Sequence, residues 1–102
     1  MATMTSSEPV AVPSYLQVVS VILRLAAGLF YVHKLHDETP TREQEEDFEA
    51  WLVLRRTARL LCERSAMQLT LAEAYALREA LRRCPRDADF EFLYRQDWDE
   101  RG

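Results

Sequence analysis

Apolar residues recur at steps of three and four from Ser14 to Arg86, the repeat of a helix face, and no Asn-Gly or Asp-Gly hairpin signal interrupts them. The pattern predicts an all-α chain: a small helical bundle of three main helices plus a short C-terminal helix. Residues 1–13 contain Pro9 and Pro13 and read as a disordered N-terminal arm. Residues 14–96 form the predicted bundle, and 97–102 an acidic C-terminal tail.

The first predicted helix runs from Tyr15 to Leu35 with Ser14 as its cap. Gln17, Ser20, Arg24 and Gly28 form one narrow polar stripe, and the rest of the helix is apolar. A helix apolar nearly all round is buried centrally or sits in lipid. Ala26, Ala27 and Gly28 offer a place for close helix approach. His33, Lys34 and His36 end the helix on the side where the macrodipole favours cations. Asp37 to Thr39 make the turn.

The second helix starts from one of two caps, Thr39 followed by Pro40 or the Thr41–Gln44 capping box, and reaches about Ser65. Its seam is Trp51, Leu54, Ala58 and Leu61, widened by Phe48, Leu52 and Cys62. Thr70 and Glu73 form a capping box for the third helix, with Leu69 and Ala74 as the hydrophobic staple. Ala74, Leu77, Leu81 and Cys84 make its apolar face, which ends before Pro85. Asp87 caps a last short helix through Arg95, with Phe90, Leu93 and Tyr94 on one side and Phe92 elsewhere. The aromatic and acidic stretch to Trp98 reads as docking on the chain's own helices in preference to a partner.

With 102 residues, 48% of them apolar, one modest core is available, and burial is limited enough that association would help it. That consideration predicts an oligomer. The net charge of −4 opposes phosphate binding. The charges are segregated, however. Residues 55–86 hold eight arginines against three glutamates, while the rest of the chain is strongly acidic. Two such regions can meet within one chain, between copies or across to a partner. Local i,i+4 pairs, Arg59 with Glu63 and Glu79 with Arg83, would neutralise part of the basic patch.

Candidate chemistry is sparse. Two cysteines, Cys62 and Cys84, are too few for a disulfide scaffold, and both read as small buried residues. With His33 and His36 they hold zinc-ligand chemistry at no standard spacing, so neither metal nor cofactor is expected. No nucleophile elbow, phosphate loop or zinc-protease motif occurs, which argues against an enzyme.

The expected role is therefore a cytoplasmic, non-catalytic protein-binding subunit, an adaptor, chaperone-like subunit or inhibitor, that binds another protein or itself. Its candidate contact residues are Ile22, Leu25, Leu29, Trp51, Leu54, Arg55, Arg59 and Arg82. An alternative is a membrane-associated or single-pass protein anchored by residues 15–32, since about 20 apolar residues span a bilayer. Against it, Arg24 near the middle would cost roughly 2.5–3.5 kcal/mol. A weaker alternative is nucleic-acid binding through the arginines of 55–86.

Overall fold

The computed structural model describes residues 14–34 and 41–100, with side chains over 14–29 and 41–98. The described chain is mostly helical. Its helices are α1 (Ser14–Lys34), α2 (Arg42–Arg64), α3 (Leu71–Leu81) and α4 (Ala88–Tyr94). The 1–13 arm, the 37–39 turn, His36 and the Thr39–Pro40 cap lie outside the described residues, as does the His33 side chain.

α1 and α2 pack along each other, α3 covers another flank of α2, and α4 docks on α1. Two short strands, β1 (Gln68–Leu69) and β2 (Asp99–Glu100), pair in parallel with Gln68 opposite Asp99. Thus residues placed by sequence in the acidic tail reach back to the link between α2 and α3. Trp98, half-buried, packs against the core.

The helix starts follow from local chemistry. Thr41 caps α2, its Oγ1 accepting from the Gln44 amide at 3.2 Å while Gln44 Oε1 accepts from the Thr41 amide at 2.7 Å. Thr70 and Glu73 repeat the arrangement at 3.1 and 2.8 Å. Asp87 caps α4 through the Phe90 amide at 3.0 Å. Each side chain satisfies a donor that the helix leaves open. Ser14 is itself the first residue of α1. α2 ends at Ser65 with φ 52°, a left-handed C-cap usually given to glycine. Thr70→Ala is expected to destabilise the chain by about 0.5–2 kcal/mol, read by chemical denaturation.

The core runs along the α1–α2 contact. Ile22, Leu54, Leu61 and Leu69 are fully buried, joined by Val18, Leu25, Leu29, Leu77, Leu81 and Leu93. α1 buries two sides at once, one toward α2 and one toward α4, which is why its apolar content exceeds that of an ordinary surface helix. No helix among the described residues is long and apolar enough to cross a membrane. This is a correction to the spanning form of the alternative for residues 15–32; Val18, Val21, Ile22, Leu25 and Leu29 of α1 are buried against protein, while Leu16 and Leu23 stay about 40% exposed. Among the described residues, nothing lies within 4 Å of the place a side chain would take at Gly28, so no described helix approaches closely there.

Among the described residues, three ion-pair links tie the elements together. Arg24 grips Asp89 of α4 with two hydrogen bonds of 3.1 and 3.0 Å and donates to Ser20 at 3.2 Å. Arg64 makes a bidentate pair with Glu73 at 2.7 and 3.0 Å and donates to the Gln68 carbonyl at 2.8 Å. Arg83 pairs with Asp47 at 2.7 Å and Glu46 at 3.2 Å. Part of the segregated charge is thus consumed inside the chain. The local pairs expected from sequence are not those made. Glu79 pairs with Arg82, at 3.5 Å, while Arg83 turns to α2. Arg59 makes no ion pair with Glu63.

Candidate functional site

The residues singled out by sequence separate into two groups. Ile22, Leu25, Leu29 and Leu54 are 0–7% exposed and belong to the chain's own core. They hold the fold and present no face to a partner in this conformation. Trp51, Arg55 and Arg59 come together on an open groove, and Arg82 stands apart on the α3 side.

The groove lies between α1 and α2 and encloses about 470 Å³. Val19 and Leu23 of α1 form one wall. Trp51, Leu52, Ala58 and Cys62 of α2 supply the floor and the other wall, with Arg55, Arg56 and Arg59 around them. Leu23 and Leu52 keep 41% and 42% of their surface exposed, so two large aliphatic side chains meet water within one depression. The Arg55 guanidinium lies 5.4 Å from the Trp51 ring centre, within cation–π range, and Phe48 stacks on Trp51 at 5.5 Å. Arg55, Arg56 and Arg59 make no ion pair among the described residues. Every other arginine from 55 to 86 with an acidic partner, namely Arg64, Arg82 and Arg83, sits elsewhere.

Sequence reasoning placed Leu52 and Cys62 on the buried seam, and here the structure corrects it. Leu52 stands two residues from Leu54, which is about 200° around a helix of 3.6 residues per turn, so the two face opposite ways. Cys62 is likewise exposed, contrary to its expected burial. Leu23 and Val19 were not among the candidates, and Arg56 entered only with the arginines of 55–86. The missing signal was angular: Leu52 and Arg56 face away from the Leu54–Leu61 line, a feature visible once that line is known to be internal.

A second depression, of about 530 Å³, lies between α3 and α4 and gathers Tyr75, Arg78, Arg82, Arg86, Phe90 and Tyr94. Tyr94, grouped by sequence with buried Phe90, stacks on that ring at 5.6 Å but remains 62% exposed. Phe90 and Trp98 dock on the chain itself, while Phe92 is 37% exposed.

Neither depression carries an organised reactive group. Cys84 is buried, and burial pushes its thiol up to about 11, with Asp87 and Asp47 adding to the shift. It is therefore a neutral thiol near pH 7 and a poor nucleophile. Among the described residues, no three His, Cys, Asp or Glu side chains converge as a metal set would require. The groove can bind and orient an apolar surface bearing negative charge. No known protein family, curated protein or solved structure matches this chain.

Proposed function

We propose that the chain is a non-catalytic protein-binding subunit, an adaptor, chaperone-like subunit or inhibitor, whose contact surface is the groove between α1 and α2. What supports this reading is the coincidence, in one depression, of half-exposed Leu23 and Leu52, the Trp51 ring and three arginines that have no acidic partner among the described residues. Trp and Arg are the side chains that most often dominate binding energy, and a charged rim around an apolar centre is the usual anatomy of an interface. The partner surface is acidic with aliphatic side chains at its centre. The three main helices act as one bundle that holds this face rigid, and the protein works as an oligomer in the cytoplasm.

The test is affinity purification from the native cell with wild type and with the double variant Leu23→Asp/Arg55→Glu. Both positions are exposed, so helicity should be unchanged, since surface substitutions usually stay within about 0.5 kcal/mol. The wild type is expected to retain a protein partner that the variant loses. Equal recovery by both would remove the groove from the binding surface. Duplex DNA at about 0.1 M salt should bind weakly or not at all. Submicromolar binding that falls steeply with added salt would put nucleic acid in the partner's place.

A further inference from the structure

The outward face of α2 carries a charge pattern that reads the same from either end once its signs are inverted. Leu52 stands at the centre. Glu49 and Glu45 precede it at steps of three and four, and Arg56 and Arg59 follow it at steps of four and three. One step further out lie Arg42 before and Glu63 after. Alternating steps of three and four keep all of these on one helix stripe. All seven are exposed. Among the six charged residues, only Arg42 makes an ion pair among the described residues, to Glu46 at 3.4 Å.

The helix dipole explains only part of this order. It favours acids in the first turn, as with Glu45, and bases in the last, where α2 has Arg64, which is off this stripe. It disfavours Arg42, the first residue of α2, and Glu63, the last but one. Those two complete the antisymmetry at the very positions where the dipole opposes them.

We propose that two copies of the chain associate through this face, with their α2 helices antiparallel and Leu52 on the two-fold axis. The inference rests on the reading of the α1–α2 face as a protein-binding surface and names its occupant. A two-fold axis through Leu52 sets Glu49 against the Arg56 of the other copy. It sets Glu45 against Arg59 and Arg42 against Glu63, each pair equidistant from Leu52 to within one residue. Every contact occurs twice, and the interface closes on itself. The two Leu52 side chains meet at the centre, and the half-exposed Leu23 beside each extends the apolar contact onto α1. A parallel arrangement in register would instead face acid with acid and base with base. The contact is narrow and rich in charge, so the dimer is modest in affinity and sensitive to salt.

Sedimentation equilibrium of the purified full chain tests this with two single variants, Glu49→Arg and Arg56→Glu. Wild type should dimerise at about 0.01 M salt and dissociate at about 1 M, where the screening length falls from about 30 Å to about 3 Å. Each single variant should be monomeric where wild type is dimeric, because like charges then meet twice. Mixing the two variants should restore a dimer, since each substituted position then faces the opposite charge. Positions 49 and 56 are two helical turns apart in one chain, so rescue on mixing cannot come from a contact within it. Circular dichroism checks that both variants stay folded. A wild type monomeric at low salt, a dimer indifferent to both substitutions, or a mixture that stays monomeric would each overturn the proposal. The groove test above uses positions 23 and 55, so a protein-binding groove can hold while the second copy fails as its occupant, and the two failures are told apart.

Discussion

Leu54→Asp is expected to leave the chain without a cooperative melting transition. Leu54 is 0% exposed and sits at the middle of the α1–α2 contact with Ile22 and Leu61. Removing a buried leucine side chain costs about 2–5 kcal/mol through lost transfer energy and the cavity left behind. The carboxylate then has no partner in an apolar site. It must either be buried charged, at high cost, or bind a proton. A domain of this size holds only about 5–15 kcal/mol in total. Leu61→Asp should behave the same way. Leu52→Asp, two residues from Leu54 on the exposed face, should change stability by no more than about 0.5 kcal/mol. Circular dichroism melts of the three variants check the contrast. A melt of Leu54→Asp that matches wild type would mean the seam faces water.

Removal of Glu73 has the second largest expected effect, because one carboxylate serves two elements. It accepts two hydrogen bonds from Arg64 of α2, and its Oε1 also accepts from the Thr70 amide at the start of α3. Those contacts, Arg64 first and the Thr70 backbone next, hold its carboxyl down from 4.5 to about 2. A lowered folded value means that the contribution to stability is complete above about 4.5 and drains away as the pH falls toward 2. Asp89, held below its ordinary value by Arg24, adds to the same acid limb. Glu73→Ala is expected to cost about 1.5–3 kcal/mol at pH 7, the range for hydrogen bonds to charged groups. About a quarter of each side chain remains in water, which favours the lower part of that range. Glu73→Gln should cost less, because an amide oxygen can still accept from Thr70, as Gln44 does for Thr41. Urea denaturation at pH 7 and near pH 3 measures both effects. The gap between wild type and Glu73→Ala should narrow at the lower pH, as the pH approaches the folded value of about 2. An unchanged gap would show that the carboxylate's charge is not what holds α2 to α3.

What could be read from sequence was local. The starts at Thr70 and Asp87 depend on contacts three residues away, so the residue types alone reveal them, while for α2 the residue types offered Thr41 beside Thr39–Pro40. The Leu54–Leu61 seam was visible because its spacing matches a helix repeat. Which long-range partners meet was not legible. Glu79 and Arg83 stand at ideal spacing, yet Arg83 reaches Asp47, whose nearness depends on how α3 lies across α2. Arg24, in the polar stripe of α1, keeps 56% of its side chain exposed and also anchors α4, a contact between residues 65 positions apart. The two-residue pairing of Gln68–Leu69 with Asp99–Glu100 carries no strand signal at all. The groove was hidden for a related reason. Leu52, Trp51 and Leu54 are all apolar and adjacent, and only the position of α1 decides which of them faces out.

The central claim, that the α1–α2 face binds protein, is tested most directly by photo-crosslinking in the native cell. A photoreactive side chain is placed at Leu52 on that face, or at Leu71 on α3 as a control, since Leu71 is 66% exposed but lies outside the groove. A discrete crosslinked protein band is expected from position 52, of twice the chain's mass if a second copy is captured, and none from position 71. Position 52 giving no protein adduct while position 71 gives one would contradict that claim.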